Sequence, residues 1–289
     1  MKKSMKWTNL MYIPAILLFI VFVVYPFVSG VRIAFTNWNG YSQSFKYIGF
    51  ANFKTMFADK NVWTAFGNTL IYGVGSTFFQ QLLGLTYALL LNNYFKGRGF
   101  ARTVVYLPVL ISAVIMGYMW YFLLRYDNGA LNDVLKLFGM EPKLWLSVPS
   151  TAIATMVGIN SLQFVGISMV IYLAGLQGIP TMYYEAADID CAGTWAKFKN
   201  ITLPLLYPSI VTSVTLNLIG GLKLFDVIKA LTGGGPGYTT HSLSTLIHST
   251  YFLTQSAGYA SAIGLLLFVS ILASTLVIQI IFNRKEVEY

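Results

Sequence analysis

Tyr184 to Pro204 reads YEAADIDCAGTWAKFKNITLP and lies between two long hydrophobic runs. Glu185, Asp188 and Asp190 open it, Cys191 follows, Lys197 and Lys199 sit in its second half, and Ile201-Thr202-Leu203-Pro204 closes it. Thr181, after Pro180, has the hydroxyl to cap a helix. Glu185 and Asp188 would then fall near the first turns, where the helix dipole favours negative charge. Ala187, Cys191, Trp195 or Thr194, Phe198 and Ile201 recur at three- and four-residue spacing, which is an amphipathic stripe, and Pro204 is expected to end the element. Such a stripe suits either a helix lying in the bilayer interface or a docking element for a soluble partner. Spacing alone does not choose between them.

Other side chains offer less. Asn160 and Gln163 lie three apart within one charge-free run, where polar groups either bond neighbouring helices or line a polar cavity. Asn217 has a similar position in the next run. Lys223 and Asp226, at i and i+3, are expected to pair with each other. Trp120 and Tyr121 close a span and suit an interfacial aromatic belt. His241 and His248 read as ordinary surface residues. Gly233-Gly234-Gly235-Pro236-Gly237 lacks the Lys-Ser/Thr ending of a phosphate loop and follows no strand, so it reads as a turn-rich loop. With one cysteine, two histidines and ten acids, no nucleophile, base or metal constellation of an enzyme is visible.

The elements that carry these residues must be membrane helices. The 289 residues are 56% hydrophobic and 10% charged, with mean hydropathy +0.64, against about 25% charged in soluble domains. The +9 charge reflects scarce acids, and its lysines and arginines are scattered through loops, so nucleic acid is not an expected partner. A span needs about 20 apolar residues. Runs free of charge predict helices near Met11–Phe35, Phe66–Leu91, 103–124, Thr151–Leu176, Leu205–Phe225 and Ala260–Phe282. The basic MKKSMKW start resembles a signal peptide, but no small-x-small site follows the apolar run, and a first transmembrane helix is the better reading. Six spans put both termini on one side. With the N-terminus inside, inner and outer segments hold ten and nine basic residues. The inner segments are shorter and so denser in charge, which favours cytoplasmic termini. The expected division is an N-terminal helix and outer loop over 1–65, a core over 66–282 holding the 181–204 segment, and a tail over 283–289.

Several stretches carry a family resemblance. Glu185-Ala186-Ala187, three residues, position 191, nine residues and Ile201-x-Leu203-Pro204 resemble the EAA loop of binding-protein-dependent ABC importer permeases. PAILLFIVFVVYPFVSGVRIAFTNW, FKGRGFARTVVYLPVLIS, LAGLQGIPTMYYEAA and FDVIKALTGGGPGYTTHSLSTLIHSTYF resemble the carbohydrate branch of that family, the oligosaccharide and glycerol-phosphate importers. The resemblance covers nearly the whole chain, in order. It implies an all-α type I ABC importer permease with six transmembrane helices and a cytoplasmic coupling helix, in the bacterial cell membrane. It implies a homologous second permease, two cytoplasmic ATPase subunits that hold ATP and Mg, an extracytoplasmic solute-binding protein and a sugar substrate, with no cofactor on this chain. The implied ATPase-coupling residues are Glu185, Ala186, Ala187, Asp190, Cys191, Trp195, Phe198, Ile201, Leu203 and Pro204. Asn160, Gln163, Asn217, Lys223, Trp120 and Tyr121 become candidate substrate contacts. The family usually has glycine where this chain has Cys191, so the bend of the coupling helix is the point of departure. A secondary sugar transporter or facilitator is the alternative; it usually carries internal repeats and acids within spans, which this chain lacks.

Overall fold

A computed structural model describes residues 12–283. The basic start (Lys2, Lys3, Lys6), Met11 and the tail bases Arg284 and Lys285 lie outside the described residues. The described chain is helical, with one isolated bridge between Thr36 and Tyr47. Among the described residues, five helices are long and apolar enough to cross a membrane, or six if one sharply bent pair counts as a span.

Two compact units divide the chain. The first comprises residues up to Val62 together with Leu246–Leu267. It contains α1 (Tyr12–Ala34), in which Ile20–Val24 forms a π turn, and α2 (Ala51–Ala58). Asn52 Nδ2 donates to the carbonyls of Ala34 and Thr36, at 2.8 Å each, and so caps the end of α1. Phe35 packs its ring on Phe50 and Phe53. The Gly258 N–H donates to Trp38 O, and the Tyr259 hydroxyl to Asp59 Oδ2 at 2.8 Å.

The second unit holds most of α3 (Lys60–Asn92), then α4 (Arg98–Leu110), α5 (Ala113–Leu124), α6 (Ala130–Leu137) and α7 (Pro149–Gly178). After the polar segment come α10 (Tyr207–Leu222) and α11 (Asp226–Leu231); α8 (Thr181–Ile189) and α9 (Thr194–Lys197) precede them. The α12 helix (Leu243–Phe252) and the long α13 (Ala257–Asn283) are each shared between the units. The α7 helix is the hub, packed by α4, α10 and α11. It binds with small residues, as membrane helices do when packing and not water exclusion drives association. A Cβ on Gly166 would come within 2.8 Å of Tyr106 Cα, and one on Gly221 within 2.8 Å of Gly73 Cα.

The single span expected over 103–124 is two helices, α4 and α5, meeting at 96°. Pro108 removes a backbone donor in the last turn of α4, and Ile111 takes an extended conformation at the break. Gln163 on α7 donates from Nε2 to the freed Ile111 carbonyl at 3.2 Å. A buried carbonyl without a partner is costly, so this side chain holds the break open at its observed place.

Candidate functional site

The polar segment is two short helices on a tight turn. Pro180, not Thr181, is the N-cap residue of α8, and no side chain caps it. Glu185 lies in the second turn and Asp188 in the last, beyond the region where the N-terminal dipole acts. The turn explains the unusual cysteine. The Ala192 N–H donates to Ala187 O at 2.8 Å and the Cys191 N–H to Asp188 O at 3.0 Å, the paired bonds of a Schellman ending. Cys191 occupies the left-handed position at φ 55° that glycine would fill without strain. Asp188 then pairs with Lys197 across the turn.

The expected stripe is split by this turn. Ala187 is buried, Phe198 and Ile201 are half-buried, and Cys191 is exposed. Trp195 is 72% exposed and stacks on Phe198 with ring centroids 5.5 Å apart. Ile189, which periodicity did not single out, is 84% exposed, and Met182 is exposed beside it in sequence register. Asp190, Glu185 and Ala186 also face solvent, while Leu203 and Pro204 are half-buried. Tyr184, Ile201 and Leu205 pack onto a core of Ala88, Leu91, Met169, Tyr172, Leu173, Leu176 and Leu206, and the Tyr184 hydroxyl meets Thr202 Oγ1 at 2.9 Å. The segment is therefore anchored on one side and apolar and acidic on the other.

Pro204 does not end the element. From Thr194 the chain stays helical through a π turn at Phe198–Thr202 and a short turn at Leu203–Leu205 into α10, with Leu206 N bonded to Thr202 O and Ile210 N to Leu206 O. The wider π turn accommodates a proline that lacks a donor and crowds the preceding turn.

A second polar feature lies within the spans. A cavity of about 210 Å³ is lined by Gln80 of α3, Asn160 and Phe164 of α7, Asn217 and Gly220–Gly221 of α10, and Lys223, Phe225 and Asp226 after it. Asn217 Nδ2 donates to Ser168 Oγ at 2.6 Å, tying α10 to α7. Lys223 and Asp226 do not form the expected ion pair; both line the cavity instead. Gln163 is buried at the helix break and is not among the lining residues, nor are Trp120 and Tyr121. Trp120 packs into the core near Met116 and Leu124, and Tyr121 lies edge-on to Phe122. Gln80 was not singled out in the sequence: it sits in a long apolar helix beside a second glutamine, and only the fold distinguishes the two. A larger groove of about 760 Å³ along Ile71, Phe79, Leu83, Ile153, Val157 and Leu162 is almost wholly apolar, so it offers packing surface and no recognition chemistry.

The glycine-rich loop closes on itself. His241 is buried, not a surface residue, and its Nδ1 lies 3.0 Å from Thr245 Oγ1 with the ring against Gly234. Burial, and secondarily the charge of Lys229, hold its pKa below the usual 6.5. Thr240 Oγ1 donates to Gly235 O at 2.7 Å and meets Thr232 Oγ1 at 2.8 Å. Asn68 Nδ2 donates to Thr239 O at 2.7 Å and His241 O at 3.0 Å, and the Tyr72 hydroxyl to Thr240 O at 2.9 Å. His248, half-buried, lies against Phe252 with ring centroids 4.9 Å apart and the rings tilted by 44°.

Comparison with known proteins gives this arrangement a family. The chain is 34% identical, over 98% of its length and 96% of the relative's, to a probable starch degradation products transport system permease protein from Thermoanaerobacterium thermosulfurigenes. It is 34% identical, over 95% of its length and 93% of the relative's, to a trehalose/maltose transport system permease protein from Thermococcus litoralis. Among solved structures, a chain of a bacterial ABC transporter involved in import of the acidic polysaccharide alginate superposes with TM-score 0.84 at 28% identity, covering 98% of this chain and 96% of that one. A family profile matches residues 80–287, from Gln80 at the cavity through the turn at Cys191. This chain belongs to the family of binding-protein-dependent transport system inner membrane components, ABC importer permeases that carry solute and not catalysis.

Proposed function

We propose that this chain is one of two transmembrane subunits of an ATP-driven importer for a neutral oligosaccharide or related polyol. It pairs with a homologous second permease, two cytoplasmic ATPase subunits and an extracytoplasmic binding protein. The observation that carries the reading is that one helical run bears both features: α10 contributes Asn217 to the amide-lined cavity and continues from the segment that exposes Trp195. Asn160 offers an amide donor and acceptor to hydroxyl groups, Asn217, whose Nδ2 is held by Ser168 and Ser213, offers its Oδ1 acceptor, Phe164 and Phe225 offer apolar faces, and one lysine and one aspartate leave the lining without net charge. The transport systems of the relatives, for starch degradation products and for trehalose or maltose, support an α-glucoside as the first class to test. Glu185, Ala186, Ala187, Asp190, Cys191, Ile201, Leu203 and Pro204, with Trp195 and Phe198, form the ATPase-coupling element. ATP and Mg reside in the ATPase subunits, this chain holds no cofactor, and both termini are cytoplasmic. ATPase closure moves α8 and α9, and through them α7 and α10, so that the cavity alternates between the two sides. A ligand shifts such an equilibrium only by binding its states unequally, so the coupling contact differs between them.

The test is uptake into proteoliposomes holding the complete complex and its binding protein, with maltotriose, trehalose and raffinose as probes. ATP-dependent uptake of one probe, reduced at least tenfold in Glu185→Lys with the complex still assembled, is the expected result. Uptake by this chain alone that survives ATP depletion overturns the reading in favour of a facilitator.

A further inference from the structure

We infer that Gln80 is the buried hydroxyl acceptor of the cavity and sets a requirement for a free ligand hydroxyl at one ring position. This rests on the oligosaccharide reading above and adds to it a residue from α3. Gln80 is 1% exposed and lines the cavity. Its Nε2 donates to the Asn160 carbonyl at 3.0 Å. A carbonyl accepts and does not donate, so the amide nitrogen must face Asn160, and Oε1 is left without a hydrogen-bond partner. Two other glutamines show what is particular here. Gln81 Oε1 accepts from the Tyr172 hydroxyl. Gln163 also has an unpartnered oxygen, but it is not on the cavity wall. Gln80 alone among these three combines an unmet acceptor with the cavity.

A buried acceptor without a donor is expensive, and it discriminates sharply between a ligand that supplies the donor and one that does not. A sugar hydroxyl supplies it; an ether oxygen, a hydrogen or a carboxylate at that position does not. The cavity is smaller than the roughly 300–1,000 Å³ typical of drug-sized ligands, so at about 210 Å³ it takes one ring at a time. A hydroxyl bound to Gln80, with the same ring held by Asn217, would join α3, α7 and α10 through the ligand.

The test is transport of maltotriose and of its monodeoxy derivatives by the complete complex in proteoliposomes, for wild type, Gln80→Leu and Gln80→Glu. The binding protein is common to every arm, so its own preferences cancel when variants are compared. In the wild type, one monodeoxy position is expected to lower the rate about tenfold more than in Gln80→Leu. Gln80→Glu, protonated at this buried position so that its hydroxyl donates to the Asn160 carbonyl and its other oxygen accepts, should retain the discrimination. Equal discrimination in wild type and Gln80→Leu overturns the inference, and so does a wild type indifferent to every deoxy position. If Gln80→Leu fails to assemble, Gln80→Met takes its place in the comparison. A wild type that moves neither maltotriose nor any other oligosaccharide overturns the transport reading itself, and this inference with it.

Discussion

The turn at Asp190–Gly193 and the loop at Thr232–Thr245 are both tight, both rich in small residues, and built on opposite principles. The loop spends its polar groups on itself: Thr232, Thr240, His241 and Thr245 bond within it, and Asn68 and Tyr72 reach its carbonyls from α3. Its strained backbone positions are glycines at φ 63°, 100° and 61°. The turn is held by backbone bonds and one ion pair, accepts a cysteine at φ 55°, and leaves Ile189 and Trp195 exposed. A loop saturated internally keeps its shape alone. A turn left apolar on its surface has the character of a contact surface, and the coupling role proposed above rests on it.

Four measurements break or sharpen that contrast. The largest effect is expected at Gly234, where a Cβ would collide with the His241 ring at φ 100°. Gly234→Ala should cost roughly 2–4 kcal/mol of local stability, read as faster amide exchange across Thr232–Thr245. Unchanged exchange there would mean the loop is not held by its own packing. Next, Ile189→Asp should weaken binding of the ATPase subunit by about 2 kcal/mol, as loss of a central apolar contact does, while Thr232–Thr245 exchange stays as in wild type. Titration of the purified ATPase against the permease complex reads this, and equal affinity would remove the turn's role as a contact.

A smaller effect follows from His241. Its folded pKa lies below the unfolded 6.5, so its contribution to loop stability is fully present above that pH and declines as pH falls and the unfolded state takes the proton first. Opening of the loop, read as exchange divided by the pH-dependent intrinsic amide rate, should rise between about pH 7.5 and pH 5, and His241→Gln should flatten that dependence. A pH profile identical in wild type and variant would assign the acid sensitivity elsewhere. The smallest effect is a gain: Cys191→Gly should stabilise the turn by about 1 kcal/mol, because glycine takes the left-handed conformation without the Cβ cost. A loss in melting temperature would mean that the Cys191 side chain makes a contact of its own.

Sequence carried the spans well where charge-free runs were long, and the helix expected at Thr151–Leu176 is found as Pro149–Gly178. It missed the break at Ile111–Ser112 because the interruption is apolar on both sides: hydropathy does not register a change of direction, and Pro108 alone is compatible with a gentle kink. It placed the polar helical segment between two spans, since acids there have few alternatives, but not its exposed face. Periodicity assumes one helix, whereas the turn at Cys191 separates Ala187, buried on α8, from Trp195, exposed after the turn. The pairing expected of Lys223 and Asp226 assumed a continuous helix, whereas Lys223 closes α10 and Asp226 opens α11. Asn160 and Asn217 were legible as polar groups in spans; Gln80 and Gln163 exchange importance only once the cavity and the break are located.

The π turn before Pro204 has a mechanical consequence. It preserves a helical run from Thr194 to Leu222 that departs from α geometry at the π turn Phe198–Thr202 and at the fully buried Leu206. Trp195 lies eleven residues before Leu206 and Asn217 eleven after it, arms of about 16 Å each at helical rise. On the coupling proposed above, a tilt about Leu206 would carry both ends of this run in opposite senses and through similar distances, so the displacement required at Asn217 would set the stroke needed at Trp195.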